Sequence, residues 1–195
     1  KNNCEILYPS IQKLKKFPKK EKIIIFTGKL NLSKGYDIFG NAAINILKKY
    51  DDWKVFAIGN ERREKHVFKH KNYHVLNWLP HNEILNFYKK SSISVVPSRW
   101  QEPFGRTAME SAAYGCATIT TNRGGLIETF QNDLILKKLT VNDLEKIITK
   151  LIRNKRLLIK FQKKNFDNLI HKIEHLTHKI DLIKNNLLSK KINFI

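Results

Sequence analysis

The sequence predicts an α/β domain: a parallel sheet of about six strands with helices on both faces, followed by C-terminal helices. Three observations point there. Short runs of β-branched and aromatic residues recur without polar interruption, as strands buried on both faces require. Stretches with apolar residues at helical spacing separate those runs. The links between them are short, so strand and helix alternate along the chain.

Residues 1–21 hold Ile6-Leu7-Tyr8, Pro9 and a lysine-rich stretch broken by Pro18, and read as a linker or partial N-terminal segment. Residues 22–165 form the predicted domain. Its first strand, Ile23-Ile24-Ile25-Phe26, stops at Thr27-Gly28, and a helix from Tyr36 to about Tyr50 puts Ile38, Ala42 and Ile46 on one face. Val55-Phe56-Ala57-Ile58 is the second strand, stopped by Gly59, and a charged helix is expected over 61–70. Val75-Leu76 centres a weaker third strand; residues 82–90 read as helix through Ile84, Leu85 and Tyr88. Ile93-Ser94-Val95-Val96 is the fourth strand, closed by Pro97 and followed by a helix containing Glu110. Ala117-Thr118-Ile119-Thr120 is the fifth and Leu134-Ile135-Leu136 a short sixth. From Val141 the pattern is helical only. Thr140 and Asp143 have the spacing of a capping box. Apolar positions then continue through Leu151, Leu158 and Phe161 to Ile170, Ile173, Leu176, Ile180 and Ile183, one or two long helices, with 166–195 as an extension. The alternation is that of a doubly wound, Rossmann-like domain.

The chain has 195 residues, 42% of them apolar, enough for one sizeable core. Its net charge is +20, from 37 Lys and Arg against 17 Asp and Glu. That balance suits nucleic acid, an anionic membrane surface or a phosphorylated ligand. The lysines are spread along the whole chain, as an AT-rich coding sequence would also spread them. Cys4 and Cys116 are too few for a disulfide framework and lie in no metal spacing, so a reducing, cytoplasmic setting is expected. No apolar run reaches the ~20 residues of a membrane span. The chain opens Lys-Asn-Asn-Cys, and its one Met is Met109, so it reads as a piece of something longer.

In open parallel sheets ligands bind beyond the carboxyl ends of the strands. The first strand is followed there by Gly28-Lys29-Leu30-Asn31-Leu32-Ser33-Lys34-Gly35, two glycines and two lysines ahead of a helix, a reasonable anion cradle or else an ordinary turn. It is neither a Walker A loop nor G-x-G-x-x-G, which disfavours a nicotinamide dehydrogenase. The fourth strand is followed by Pro97-Ser98-Arg99-Trp100-Gln101-Glu102-Pro103-Phe104-Gly105, the fifth by Thr121-Asn122-Arg123-Gly124-Gly125-Leu126. Pro103 and Gly105 place a helix start near 104–106, leaving Glu102 in the loop and Glu110 in the first turns. Free N–H groups at that start suit a phosphate, and two carboxylates suit sugar hydroxyls. On spacing alone Glu110 can equally face solvent and Glu102 pair with Arg106, and the residues reach only a phosphate-bearing ligand.

Three stretches carry a more specific resemblance. Glu-Pro-Phe-Gly-Arg-Thr-Ala-Met-Glu over 102–110 is similar to the E-x7-E motif of the retaining GT-B glycosyltransferases of family 4. Phe26 to Gly35 resembles their F-x-G-R-L-x-x-x-K-G segment, and 124–128 their G-G-x-x-E segment. The resemblance spans about 22 to 165 and implies the C-terminal, donor-binding half of a GT-B fold, without the N-terminal Rossmann-like domain that carries the acceptor site. It implies transfer of a sugar, of hexosyl type, from a nucleotide-diphosphate donor to a glycan or lipid-linked glycan, with retention and no metal or other cofactor, in cell-surface polysaccharide biosynthesis. Carried over, Lys29 stands in the diphosphate-binding Arg position, where it lacks the guanidinium fork. Lys34 matches the diphosphate-binding Lys, Glu102 the donor-sugar glutamate and Glu110 the ribose glutamate. Phe104 and Gly105 would offer backbone N–H groups. Gly28, Gly59, Trp78, Arg106, Thr107, Gly124 and Gly125 complete the donor-binding set. Ile127 stands where proline is common.

Rival readings are a non-enzymatic domain that binds nucleic acid or anionic membrane, and a GT-B nucleotide-sugar epimerase. No nucleic-acid motif is present, so no nucleic-acid partner is expected, whereas a basic face resting on an anionic inner membrane surface is compatible with the transferase. His66 and His70, and His171, His175 and His178, have helical spacing, but no H-E-x-x-H or cysteine accompanies them and no metal is expected. Trp53, Trp78 and Trp100 read as packing residues, with Trp100 able to wall the cleft.

Overall fold

Strands β1 (Glu21–Thr27), β2 (Lys54–Ile58), β3 (Tyr73–Leu76), β4 (Ser91–Val96) and β5 (Ala117–Thr120) form one sheet in the order β3-β2-β1-β4-β5, every neighbouring pair parallel. The computed structural model describes residues 6–12, 14–129, 133–168, 170 and 173–192. Helices α1 (Tyr36–Lys49), α2 (His81–Lys90), α3 (Arg106–Ala113), α4 (Val141–Arg153), α5 (Lys155–Asp167) and α6 (Ile173–Ile192) complete it.

Successive side chains of a strand point to opposite faces. Ile24 and Phe26 of β1 therefore join Val55, Ala57, Ile93 and Ile119 in a large core closed by Phe39 and Ile46 of α1 and by Leu144 and Ile148 of α4. Ile25, between them, joins Ile58, Cys116 and Tyr88 of α2 on the other face, and Ala108 and Ala112 of α3 meet Val96 and Leu126 there. The unbroken apolar runs of β1, β2, β4 and β5 reflect this two-sided burial.

Two expectations need correction. Residues 61–70 are not helical. Glu64 Oε2 accepts the Leu32 N–H at 2.7 Å, and Phe68 lies edge-on to Tyr36 at 5.5 Å, so close over Gly40 that a Cβ there would meet its ring at 2.0 Å. Surface i,i+4 pairs contribute only about 0.2–0.5 kcal/mol each, less than the burial of an aromatic ring, so the extended path wins. The sixth strand reduces to one bridge: Ile135 pairs with Thr120, whose N–H and C=O bond Leu134 and Leu136.

The C-terminal run divides into three helices. Thr140 caps α4 by accepting the Asp143 N–H. Asn154 then ends α4 at φ −117° and ψ 86°, and its side chain caps α5 through the Leu157 N–H. Of residues 6–20, Tyr8 and Ile11 pack with Phe104, Met109 and Ala113, and Phe17 lies edge-on to Phe166. Among the described residues no helix is long and apolar enough to cross a membrane.

Candidate functional site

β1 pairs with β2 on one side and β4 on the other, so the chain leaves the sheet in opposite directions after β1 and β4. Such a divergence opens a crevice at the carboxyl edge. Backbone contacts hold its rims together. Ser33 O, in the loop after β1, accepts the N–H groups of Arg99 at 2.9 Å and Trp100 at 3.1 Å, both in the loop after β4. Gly35, at φ 72°, lets the loops touch: a Cβ there would sit 2.0 Å from Pro97 O. Arg99 reaches across to both carboxylate oxygens of Asp37, at 2.6 and 2.8 Å. The third loop joins through Gly124, which bridges to Glu102 where a Cβ would lie 2.3 Å from Glu102 O, and through the Gly125 N–H bonded to that oxygen at 2.7 Å.

The Glu102 backbone is thus pinned from two sides, and its side chain is only 10% exposed. Oε1 accepts from Lys34 Nζ at 2.6 Å. Lys34 ends a short 3-10 turn capped by Asn31, whose Oδ1 takes the Lys34 N–H at 3.1 Å and whose amide donates to Glu61 Oε2 at 3.2 Å. The alternative pairing of Glu102 with Arg106 does not form. Arg106 Nη2 instead reaches Glu110 Oε1 at 3.2 Å, one turn along α3, and His81 Nε2, from the start of α2, lies 3.0 Å from the same oxygen. The Glu110 side chain is 7% exposed, so it does not face solvent, while both partners are more than half exposed. Both contacts fall on Oε1; Oε2 has no partner among the described residues. Nearby, burial first and the Glu110 charge second raise the Tyr114 phenol above its ordinary range.

Between the two glutamates lies the start of α3. Gly105 is its N-cap at φ 91°, with no side chain to occupy the first-turn amides. Arg106 and Thr107 begin the helix, and helix N–H groups project beyond that end. Phe104, which precedes that cap, turns its ring inward against Tyr8, at 5.7 Å between centroids.

The remaining predicted residues gather further along the edge. Gly28 and Gly59 stand side by side, the Gly28 N–H bonded to Ile58 O and the Gly59 N–H to Leu76 O. Lys29 and Trp78 line a cleft of about 410 Å³ with Asn60, Glu61, Arg62 and Arg63. Lys29 therefore stands with Trp78, and among the described residues it touches neither glutamate. Trp78 is 54% exposed and Trp100 58%, whereas Trp53 is packed at 4%. Arg63's side chain and backbone N–H, and then Asn31's amide, outweigh burial and pull Glu61 down to about 2.

Sequence reasoning missed His81, Glu61, Arg62 and Arg63, and took Asn31 only as part of the loop after the first strand. The position rule that singled out residues after each strand would have reached Glu61, Arg62 and Arg63, which follow β2. The paired histidines hold local contacts: His66 lies against Glu64 and Tyr36, and His70 accepts the Asn72 N–H. His175 and His178 are on α6; His171 and Cys4 lie outside the described residues.

Residues 9–168 match the family model described as Glycosyl transferases group 1. Spore coat protein SA of Bacillus subtilis is 30% identical over 132 residues, which are 60% of this chain and 35% of that protein. The solved C-terminal domain of a glycosyl transferase group 1 family protein from Francisella tularensis is 28% identical, with a TM-score of 0.66 over 77% of this chain and 85% of that one. Anabaena HepE, solved in complex with UDP-glucose, shares the fold at a TM-score of 0.70 and 14% identity, over 85% of this chain and 49% of HepE. The chain spans about a third of the length of the curated relatives it matches.

Proposed function

Because the chain belongs to the glycosyl transferases group 1 family, we propose that it is the donor-binding half of an enzyme that moves a sugar from a nucleoside diphosphate to an acceptor. The observation that carries this reading is the pair of buried glutamates flanking an uncapped helix start, one held by a lysine, the other with a carboxylate oxygen open. That HepE was solved with UDP-glucose supports the ligand class.

In this reading the pyrophosphate lies against the first-turn amides of α3 and draws Lys34 toward it. Lys34 now holds Glu102, so its transfer to the phosphate frees Glu102 to accept the donor sugar's hydroxyls. Glu110 is already oriented through Oε1 and accepts a ribose hydroxyl at Oε2. The base extends into the cleft beside Trp78, with Lys29, Arg62 and Arg63 supplying positive charge along the way. As the glycosidic bond breaks, the negative charge growing on the departing diphosphate meets Lys34, Lys29 and the helix dipole, which act where a metal would otherwise be needed. Retention, metal independence and a hexosyl donor belong to this proposal. So do a second Rossmann-like domain bearing the acceptor site, a glycan or lipid-linked glycan as acceptor, cell-surface polysaccharide synthesis, and a place at the inner face of a membrane.

Calorimetric titration of the chain with UDP, GDP and ADP tests it. One of the three should saturate, and Glu110→Gln should weaken that binding about tenfold, the loss of one hydrogen bond to a charged group. The chain alone should release no sugar from the corresponding donors. Failure of all three nucleotides to bind, or unchanged affinity in Glu110→Gln, would overturn the assignment.

A further inference from the structure

A cavity of about 1040 Å³ lies at the opposite edge of the sheet, where Glu21 opens β1, Trp53 precedes β2 and Ser92 lies at the start of β4. At about 3.3 Å of rise per residue, strands of five to seven residues place it roughly 15–20 Å from the crevice. Phe17, Trp53, Ile152, Leu158 and Ile159 form its apolar lining. Lys19, Lys22, Arg153, Lys155 and Lys163 stand at its rim, all exposed. Arg153 is shared with a second groove of about 540 Å³ that adds Lys49, Lys146 and Lys150. Eight exposed cations thus face three carboxylates, Glu21, Asp52 and Glu145, and two of these are already taken, Asp52 by Lys22 and Glu145 by Lys49.

We propose that this amino edge docks on an anionic lipid bilayer. A cavity with apolar walls and a cationic rim matches an anionic headgroup carrying acyl chains, and a band across two grooves matches a surface better than one small anion. Long lysine side chains lay their methylenes on apolar surface and keep the ammonium at the headgroup level. Single-stranded nucleic acid, the competing polyanion, needs exposed aromatic faces for stacking. Trp53 is 4% exposed and Phe17 is engaged edge-on with Phe166, which leaves the half-buried Tyr50 as a single ring where successive bases need several. The proposal stands apart from nucleotide binding, since no residue of the crevice takes part.

Vesicle flotation tests it, with the chain, vesicles of phosphatidylcholine alone and vesicles of equal parts phosphatidylcholine and phosphatidylglycerol. The chain should float with the mixed vesicles only, and less as salt rises. A triple reversal, Lys19→Glu with Lys155→Glu and Lys163→Glu, should lower that partitioning about a hundredfold or more, at roughly tenfold or less per cation removed. The matched control, Lys29→Glu with Arg62→Glu and Arg123→Glu, also replaces exposed cations that hold no carboxylate among the described residues, changes net charge equally at the other edge and should keep most of the partitioning. Equal losses from the two triples would mean that net charge acts, not this face, and would overturn the proposal. So would displacement from mixed vesicles by single-stranded DNA at equal ionic strength, or partitioning unaffected by the first triple in a variant with the parent's circular dichroism. UDP, GDP and ADP titrations should be unchanged by the first triple, so this proposal and the donor-site reading fail separately.

Discussion

The two edges of the sheet carry similar cations in different company. At the carboxyl edge Lys34, Arg63, Arg99 and Arg106 each hold a carboxylate, and Glu102, Glu61 and Glu110 are at most 10% exposed in side chain. At the amino edge Lys19, Arg153, Lys155 and Lys163 hold none among the described residues, and in the pairs that form there, Lys22 with Asp52 and Lys49 with Glu145, the cation is more than half exposed. A matched, enclosed charge has one geometry, which suits a ligand met atom by atom. An unmatched, exposed charge supplies a field without a shape, which suits a diffuse partner. The edges also differ in backbone. The carboxyl loops touch main chain to main chain, whereas the amino edge is filled by side chains.

That last difference makes the largest prediction. Gly35→Ala would drive a Cβ to 2.0 Å from Pro97 O, and backbone on both sides leaves nothing to yield. A left-handed alanine costs roughly 1–2 kcal/mol and the overpacking about 1–3 more, so thermal unfolding should drop by about 10 °C and any nucleotide binding should go with it. Gly115→Ala is the counterpart at the amino edge. There φ is 77°, but the Cβ would meet the Phe17 ring at 2.8 Å, a side chain able to swing aside. Its midpoint should fall by no more than half as much. Equal losses would erase the distinction between a stitched edge and a filled one.

How far the sequence discloses each edge follows the same division. Two-sided burial leaves a direct trace in composition, and β1, β2, β4 and β5 stand where their apolar runs place them. Loop glycines leave a trace as well, because only they permit the close approaches at Pro97 and Glu102. The extended course of 61–70 leaves none: its charged residues favour a helix locally, and the contacts that overrule them come from Asn31, Leu32 and Tyr36, some 30 residues away. His81 is equally silent, a single histidine at a helix start, until α2 and α3 are brought together and its ring meets Glu110. The unmatched cations of the amino edge were visible as lysines, but not as a patch, because Lys19, Lys155 and Lys163 meet only where α5 and residues 17–22 line one cavity.

A smaller loss should follow from removing the buried cation of the amino edge. Lys20 Nζ donates to Tyr114 O at 2.5 Å and to Tyr88 O at 2.9 Å, joining the ends of α3 and α2, with Cys116 Sγ 3.9 Å away. Burial lowers its pKa, partly offset by Cys116, and the thiol's own pKa is raised by burial. Lys20→Met keeps the stem and strands the carbonyls. Tyr88 O still receives the Cys116 thiol at 3.3 Å, so one acceptor is truly orphaned, a cost of about 1–3 kcal/mol. Urea unfolding should read that loss, with nucleotide affinity unchanged. If affinity fell as well, the two edges would be coupled through α2 and α3, and treating them separately would be wrong.

The smallest effect is a slope, and it belongs to the matched edge. Glu61 is held at about 2 against an ordinary 4.5. Asp37 is pushed up by burial but drawn below its ordinary value by the hydrogen bonds and charge of Arg99. Across on α4, Glu145 is lowered first by Lys49. A carboxylate depressed in the folded chain takes up its proton earlier in the unfolded one. Its contribution is therefore complete above the unfolded value and disappears as pH falls through the folded value. Thermal midpoints should stay level from neutral pH to about 4.5 and then fall toward pH 2. Glu61→Gln keeps an acceptor for Asn31 and Arg63 but cannot titrate, so it should start lower at neutral pH and fall less steeply below 4.5. Were its acid limb parallel to the parent's, the Glu61–Arg63 contact would be a passenger of the fold, and the carboxyl edge would owe its shape to the backbone stitches at Ser33 and Glu102 alone.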